Sequence, residues 1–513
     1  MKGYELFART LDDLRLGPVF GNPGSTEIPM LREIKDYVLT LHDSISVGMA
    51  DGIAQYTGTP SIVNLHTLPG VSNSMAFIHT ARLNRSPVVI TSGQQDNRHV
   101  YYEPLLSHDL LSLVSDAVKY RYEVRNPEDI ERSLKRAAMK SLEPPMGPVF
   151  VSFPMDVMEE ESDYIGLAWK YPNTAFVDMA EVEYVARCIE EAASPVIISG
   201  SEIDAYGSMD DAVNFAEKVG CPVYAEPLSS RACFRSGNHR FAGDILPATT
   251  AMNMILMKND LILNFGGDFT IYPYLQSPLL PGKKVITISL SPSYKYGEFI
   301  TSHPGLFMRE LTPIVQPKGD VQRPEDLSAG SVAARERRTM GVNYVLQKVR
   351  KKFQDHVIVD EAISASVAVR KNLGYRDRSY FTAKSGQLGW ATPAAAGISM
   401  KNPRVLEIIG DGSMMYTVQT LWTVSQYNLP LKILVLDNQG YSILKSFSTS
   451  FYPGVEKAPF LSFRTNIVKI SEAFGVEARE GDGSLNELDW LAEGEMARVL
   501  VVHVDKSIPK LFF

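Results

Sequence analysis

The chain has 513 residues, too many for one ordinary core, and 45% of them are hydrophobic and 21% charged, the make-up of a water-soluble globular protein of roughly two to four domains. Its 51 basic residues against 59 acidic ones leave a net charge of −8, which argues against an electrostatic nucleic-acid surface and means that an anionic substrate would need local cations. Cys188, Cys221 and Cys233 form no CxxC, so neither a disulfide scaffold nor a zinc site is expected, and a reducing compartment is.

The N-terminal MKGYELFARTLDDLRLG carries charges throughout and has no apolar h-region, so it does not read as a signal peptide. No apolar run approaches the ~18 residues of a membrane span, and a cytoplasmic location is expected. Short apolar runs then alternate with helical patterns, as in α/β folds with parallel sheets. The first set of strands is PVFG (18–21), SIVNL (61–65), PVVITSG (87–93) and PVFVSFP (148–154). A connector is expected over 164–178. The second set is PVIISG (195–200), CPVYAEP (221–227), LILNFGG (261–267) and KVITISL (284–290). The polar stretch 316–338 reads as a linker. The third set is VIVDE (357–361), VLEII (405–409), LKILVL (431–436) and VLVVHV (499–504). Three doubly wound parallel-sheet domains follow, at 1–165, 180–315 and 339–513, each near the usual domain size. That architecture hosts many functions and names none.

The most informative stretch is 405–444. VLEII ends at Gly410-Asp411-Gly412. The spacing predicts a helix from Ser413, with Met414, Val418, Leu421 and Trp422 on one apolar face and Asn428 and Pro430 closing it. LKILVL returns as the next strand and ends at Asp437-Asn438-Gln439-Gly440. In such a βαβ unit the two strands are parallel and can be neighbours, with carboxyl ends ~5 Å apart. Asp411, Asn438 and the Gly440 carbonyl can then converge on one hard cation, where open α/β sheets bind ligands. Gly412 and Ser413 offer helix-start N–H groups to phosphates. Taken alone, each loop also reads as an ordinary βα turn. The combination is sharper, because Asp411 and Asn438 lie 438 − 411 = 27 residues apart, across one complete crossover.

These residues resemble the signature of the thiamine-diphosphate enzymes: GDG, a gap in the mid-twenties, then Asn. The resemblance is greatest to the benzoylformate decarboxylase branch. It implies pyrimidine-binding, middle and diphosphate-binding domains, with thiamine diphosphate and Mg2+ as cofactors. It makes Asp411, Asn438 and Gly440 the metal ligands and lays Gly412, Ser413 and Tyr441 along the diphosphate. The family usually shows a second asparagine where this chain has Asp437. FTAKSGQLGWATPAAAG (381–397) resembles the segment that cradles the cofactor. There Leu388 would support its bent form, and Gly386 or a neighbour would give a carbonyl to its amine. This segment is one residue longer than in the branch, and alone it also reads as a small-residue helix start. DEAISAS (360–366) matches too, with Ser364 as a phosphate contact.

FGNPGSTEIPML (20–31) and LHDSISVGMADGIAQYTGTPSIVNLHTLPGVSNSMA (41–76) are similar to the same branch. Thiamine chemistry needs a carboxylate on the cofactor's pyrimidine. The family's glutamate falls on Asp43, one methylene or ~1.5 Å shorter; otherwise Asp43 is a solvated helix-start residue. His66, just past the strand 61–65, would face the ligand crevice and exchange protons. Ser25 would present a hydroxyl to the substrate carboxylate, Asn22 and Pro23 shape that turn, and Gly70 and Asn73 line the pocket. The branch has a further catalytic histidine in the middle domain, but NFGGDFTIYPYL (264–275) has none and places Pro273 at about that point. Leu444 and Phe447 resemble positions lining the substrate pocket, and packing of a helix explains them equally well.

The resemblance implies non-oxidative decarboxylation of a 2-oxo acid. One alternative is a carboligase resembling acetolactate synthase, which joins the decarboxylated fragment to a second carbonyl compound; the missing histidine favours it. Another is an inactive cofactor-binding paralogue, suggested by Asp43. A homodimer or homotetramer with the site between subunits is implied, and neither a nucleic-acid nor a membrane partner. No GxGxxG follows a strand, so neither a nicotinamide enzyme nor bound FAD is expected.

Overall fold

The computed structural model describes residues 1–166, 168, 177–319 and 340–512. The connector expected over 164–178 is described only near its ends, and the linker expected over 316–338 lies mostly outside the described residues. The described strands form three six-stranded sheets, and every strand pairing is parallel.

The first sheet holds β1 (Val19–Gly21), β2 (Tyr37–Leu39), β3 (Ser61–Leu65), β4 (Val88–Gln94), β5 (Arg121–Glu123) and β6 (Val149–Pro154), in the order β2-β1-β3-β4-β6-β5. The second holds β7 (Pro195–Ser199), β8 (Val223–Ala225), β9 (Phe241–Asp244), β10 (Leu261–Phe265), β11 (Lys284–Ser289) and β12 (Glu298–Thr301), in the order β12-β11-β10-β7-β8-β9. The third holds β13 (Val357–Glu361), β14 (Tyr380–Phe381), β15 (Val405–Gly410), β16 (Leu431–Asp437), β17 (Glu477–Glu480) and β18 (Arg498–His503), in the order β14-β13-β15-β16-β18-β17. The first and third sheets thus share one topology, and the middle sheet has the order usual for dinucleotide-binding domains. The twelve strands expected from apolar runs are the inner strands of the three sheets. Runs such as VVITS and LILNF are covered on both faces, which is why they are continuously apolar.

The first and third sheets dock through two helices, Asp43–Thr57 and Ala391–Ser399. The contact is backbone against backbone: a Cβ on Gly52 would lie 2.3 Å from the Ala394 carbonyl oxygen, and one on Gly397 2.2 Å from that of Met49. Only glycine allows this approach. It buries the Trp390 side chain, whose Nε1 donates to Asp51 Oδ2 at 2.7 Å.

One expected element is corrected. The helix predicted from Ser413 to about Asn428 is two short helices, Asp411–Met414 and Thr420–Gln426. Between them the Thr417 hydroxyl turns away to donate to the Gly389 carbonyl at 2.6 Å. The consecutive β-branched Thr417 and Val418 resist helix geometry, and this outside bond holds the break. Asn428 then adopts a left-handed φ of 52° and ends the second helix. Among the described residues, no helix is long and apolar enough to cross a membrane. The three cysteines are buried and free.

Candidate functional site

In both terminal sheets the chain reverses direction beside its first strand, between β1 and β3 and between β13 and β15. Ligand crevices open at the carboxyl ends of such strands.

At the first crevice the loop after β1 holds Ser25 exposed, while Glu27 behind it is fully covered. The Glu27 carboxylate accepts the Gly24 N–H at 2.9 Å, the Gly93 N–H at 2.9 Å and the Thr26 hydroxyl at 2.8 Å. His66 Nδ1 lies 2.6 Å from its Oε2. The hydrogen bond that His66 donates to Glu27 raises the His66 pKa, against the opposing effect of partial burial. With Nδ1 engaged, Nε2 has no hydrogen-bond partner among the described residues and remains for exchange with a ligand. Gly24 cannot be replaced cheaply, since a Cβ there would lie 2.2 Å from the His66 ring. Asp43 opens its helix 9% exposed and accepts the Asn73 amide at 3.3 Å; its charge also raises the His66 pKa. Gly70 leaves room for it, because a Cβ there would stand 2.7 Å from Asp43 Oδ1.

At the second crevice β15 pairs with β16 through Gly410 and Leu436, which brings Asp411 and Asp437–Asn438 together at neighbouring strand ends. Asp411 is 3% exposed, and its pKa is pushed up to about 7 by burial and then by the Asp437 charge beside it. Asp437 in turn meets His503 Nδ1 at 2.8 Å. The Asn438 side-chain oxygen is buried and has no hydrogen-bond partner among the described residues. Buried polar atoms are rarely left so. A hard cation satisfies all three features at once, so the residues present fit a divalent metal.

The other residues expected to meet a cofactor are placed as follows. Gly412 sits under two rings, with a Cβ position 2.8 Å from Phe463 and 2.9 Å from Tyr441. Ser413 opens onto the buried Glu361 at the end of β13. Ser364 lies in the turn before the helix Ser366–Leu373. In the cradle segment the Leu388 carbonyl already accepts the Gln387 amide at 2.9 Å, whereas that of Gly386 takes no bond among the described residues. Gly389 is tied on both sides, by Glu361 at its N–H and Thr417 at its carbonyl. Leu444 and Phe447 lie on the helix Ser442–Phe451, just beyond the loop that follows β16. Leu444 is 45% exposed, and the Phe447 ring sits 6.0 Å from Tyr274 and 5.6 Å from Phe512.

Sequence reasoning passed over Glu27, Glu361 and Thr417. A glutamate in a glycine-rich loop past a strand end was the available signal for Glu27. The other two are recognisable only from partners 28 and 30 residues away.

The structure brings Ser25, Asp43 and His66 together, and separately Asp411, Asn438, Gly440 and the cradle, but it does not join the two groups within one chain. Leu39, which leads to Asp43, donates its N–H to the Tyr427 hydroxyl at 2.8 Å, and Tyr427 leads into β16 at its amino end. Asn438 lies beyond the carboxyl end of β16, whose seven residues span roughly 20 Å.

Three family models match the chain: the thiamine pyrophosphate enzyme N-terminal TPP binding domain over 1–115, the central domain over 182–296 and the C-terminal TPP binding domain over 364–502. Benzoylformate decarboxylase of Pseudomonas aeruginosa is 30% identical over 485 residues, 90% of each chain. The acetolactate synthase large subunit of Buchnera aphidicola is 22% identical over 99% of this chain and 95% of its own. The solved thiamine diphosphate-dependent 4-hydroxybenzoylformate decarboxylase of Rhodococcus jostii superposes with a TM-score of 0.93 at 28% identity, covering 99% of this chain and 100% of that one.

Proposed function

The chain belongs to the thiamine pyrophosphate enzymes, the family of benzoylformate decarboxylase, and from that premise we propose that it is a Mg2+-dependent decarboxylase of a 2-oxo acid with an apolar side chain. The observation that carries this reading is the Glu27–His66 pair, 2.6 Å apart beside Asp43. Non-oxidative decarboxylation turns the anion of a 2-oxo acid and a proton into an aldehyde and CO2, so the site must deliver a proton. An imidazole whose pKa is raised by a covered carboxylate holds one there.

Thiamine diphosphate, when bound, supplies the carbon nucleophile and the electron sink that the reaction needs. Asp411, Asn438 and the Gly440 carbonyl hold the metal, and Gly412, Ser413, Ser364 and Tyr441 take the diphosphate. Leu388 would support the cofactor's bend, and the carbonyl of Gly386 or a neighbour would accept from its amine. Asp43 serves its pyrimidine. Ser25 orients the substrate carboxylate, and Leu444 and Phe447 receive the substrate side chain. Because Asp43 and Asn438 stand at opposite ends of β16, two copies of the chain complete one site, and the working unit is a homodimer or a multiple of it.

The second reading is a carboligase of the acetolactate synthase kind. It is favoured by the middle loop 264–275, which carries no histidine to finish protonation. Incubation with Mg2+, thiamine diphosphate and either benzoylformate or pyruvate separates the two. We expect free aldehyde, above all benzaldehyde, as the main product. Acetolactate from pyruvate with no aldehyde would replace the decarboxylase reading by the carboligase one.

A further inference from the structure

The C-terminal tail runs back across the proposed substrate side of the site. Beyond β18, Lys506 Nζ donates to Gln439 Oε1 of the metal loop at 2.6 Å. The tail then follows the helix Ser442–Phe451, held by two serines one turn apart. The Ser446 hydroxyl donates to the Pro509 carbonyl at 2.6 Å and accepts the Leu511 N–H at 3.2 Å. The Ser450 hydroxyl donates to the Phe512 carbonyl at 3.1 Å.

These bonds deliver the Phe512 ring onto the apolar stripe of that helix. Leu444, Phe447 and Phe451 are spaced i, i+3 and i+7, so they share one face. Phe512 lies 5.6 Å from Phe447 and 6.2 Å from Phe451. Tyr274 of the middle domain meets the same two rings at 6.0 and 5.1 Å. Tyr272 joins the two flanks, 5.9 Å from Phe512. All five separations suit offset or edge-to-face aromatic pairing. The stripe is therefore roofed away from the metal loop and open beside it, where Leu444 remains 45% exposed.

We propose that Phe512 is a specificity-determining residue: with Tyr272 it forms the far wall of the pocket for the substrate side chain and favours a planar aryl group over methyl. This rests on the site being a 2-oxo acid site, as read above. A wall of ring edges discriminates by stacking, and loss of one aromatic partner corresponds to roughly a tenfold change in affinity.

The test compares the full-length protein with Phe512→Ala, Phe512→Tyr and Ser450→Ala. The readout is the ratio of kcat/KM for benzoylformate over pyruvate, with thiamine diphosphate affinity measured alongside. Phe512→Ala should lower the ratio about tenfold without changing cofactor affinity, Phe512→Tyr should restore it, and Ser450→Ala should lower it less. An unchanged ratio in Phe512→Ala, or an equal fall for both substrates, overturns the proposal. Should the wild type bind cofactor but turn over neither acid, the decarboxylase reading fails on its own. The tail is then judged by the same ratio in dissociation constants, read from the circular dichroism of the bound cofactor, and no aryl preference in wild type would overturn it.

Discussion

Among the partners of Glu27, the His66 imidazole is the one that can carry a positive charge, so that carboxylate acts on chemistry through it. The raised His66 pKa has a sign that can be followed. Its protonated form prevails to higher pH than in a free imidazole and is lost as pH rises through the raised value. Activity that needs this proton therefore falls on the alkaline side. In Glu27→Gln the carboxylate that holds the imidazolium is gone, so the alkaline limb of the kcat profile should move to lower pH. The rate at its optimum should fall about a hundredfold, as is usual when acid–base catalysis is impaired. A limb that stays in place would dissociate His66 from the titration. His66 and Asp411 could be singled out from sequence because each sits in a local pattern at a strand end, and Asp43 because it falls where the family has its glutamate. Glu27 also stands in a loop past a strand end, but its role shows only through Gly93 and His66, which lie 66 and 39 residues away. A carboxylate's role is set by what folding brings to it, and no periodicity encodes that.

Elements were legible in proportion to how completely they are buried. All six strands that the apolar pattern passed over are sheet edges: β2, β5, β9, β12, β14 and β17. They have only two to four residues, and most face water on one side, as RYE and EARE do. The inner strand β15 is the opposite case and carries a cost. Glu407 is wholly buried on it, its Oε1 bonded to the Thr392 hydroxyl at 2.6 Å and its Oε2 without a partner. Burial, with a smaller effect of Glu361, pushes its pKa up to about 8. A carboxyl raised above its ordinary value stabilises the fold fully below that ordinary value and loses the contribution as pH rises through the folded one. Chemical denaturation of the cofactor-free protein from pH 5 to 9 should show stability falling by up to about 1.4 kcal/mol per pH unit from this group. Glu407→Gln, of the same shape and uncharged, should flatten that slope and gain on the wild type above pH 8. Parallel slopes would mean that Glu407 stays protonated or finds a partner.

At the scale of the molecule, the shared topology of the first and third sheets sets two similar crevices in one chain and aims them apart. The middle sheet serves as a joint between them. At its own crevice Glu202 pairs with Arg85 of the first domain and Glu226 with Lys384 of the third, at 3.1 Å for the latter. The chain is thus braced in a form that keeps Asp43 and Asn438 at opposite ends of β16, and on the function proposed above a second copy, related to the first by a two-fold axis, closes each site. This arrangement makes a prediction that a site within one chain does not share. Asp43→Asn and Asp411→Ala should each abolish activity when present in every subunit. In a mixed dimer one site collects both substitutions and the other collects neither. Random reassortment makes half the dimers mixed, so co-refolding or co-expressing equal amounts of the two inactive chains should restore roughly a quarter of wild-type activity. Restoration should also track the fraction of mixed dimers separated by affinity tags. Mixtures as inactive as either variant alone would place both halves of the site in one chain, against the geometry of β16.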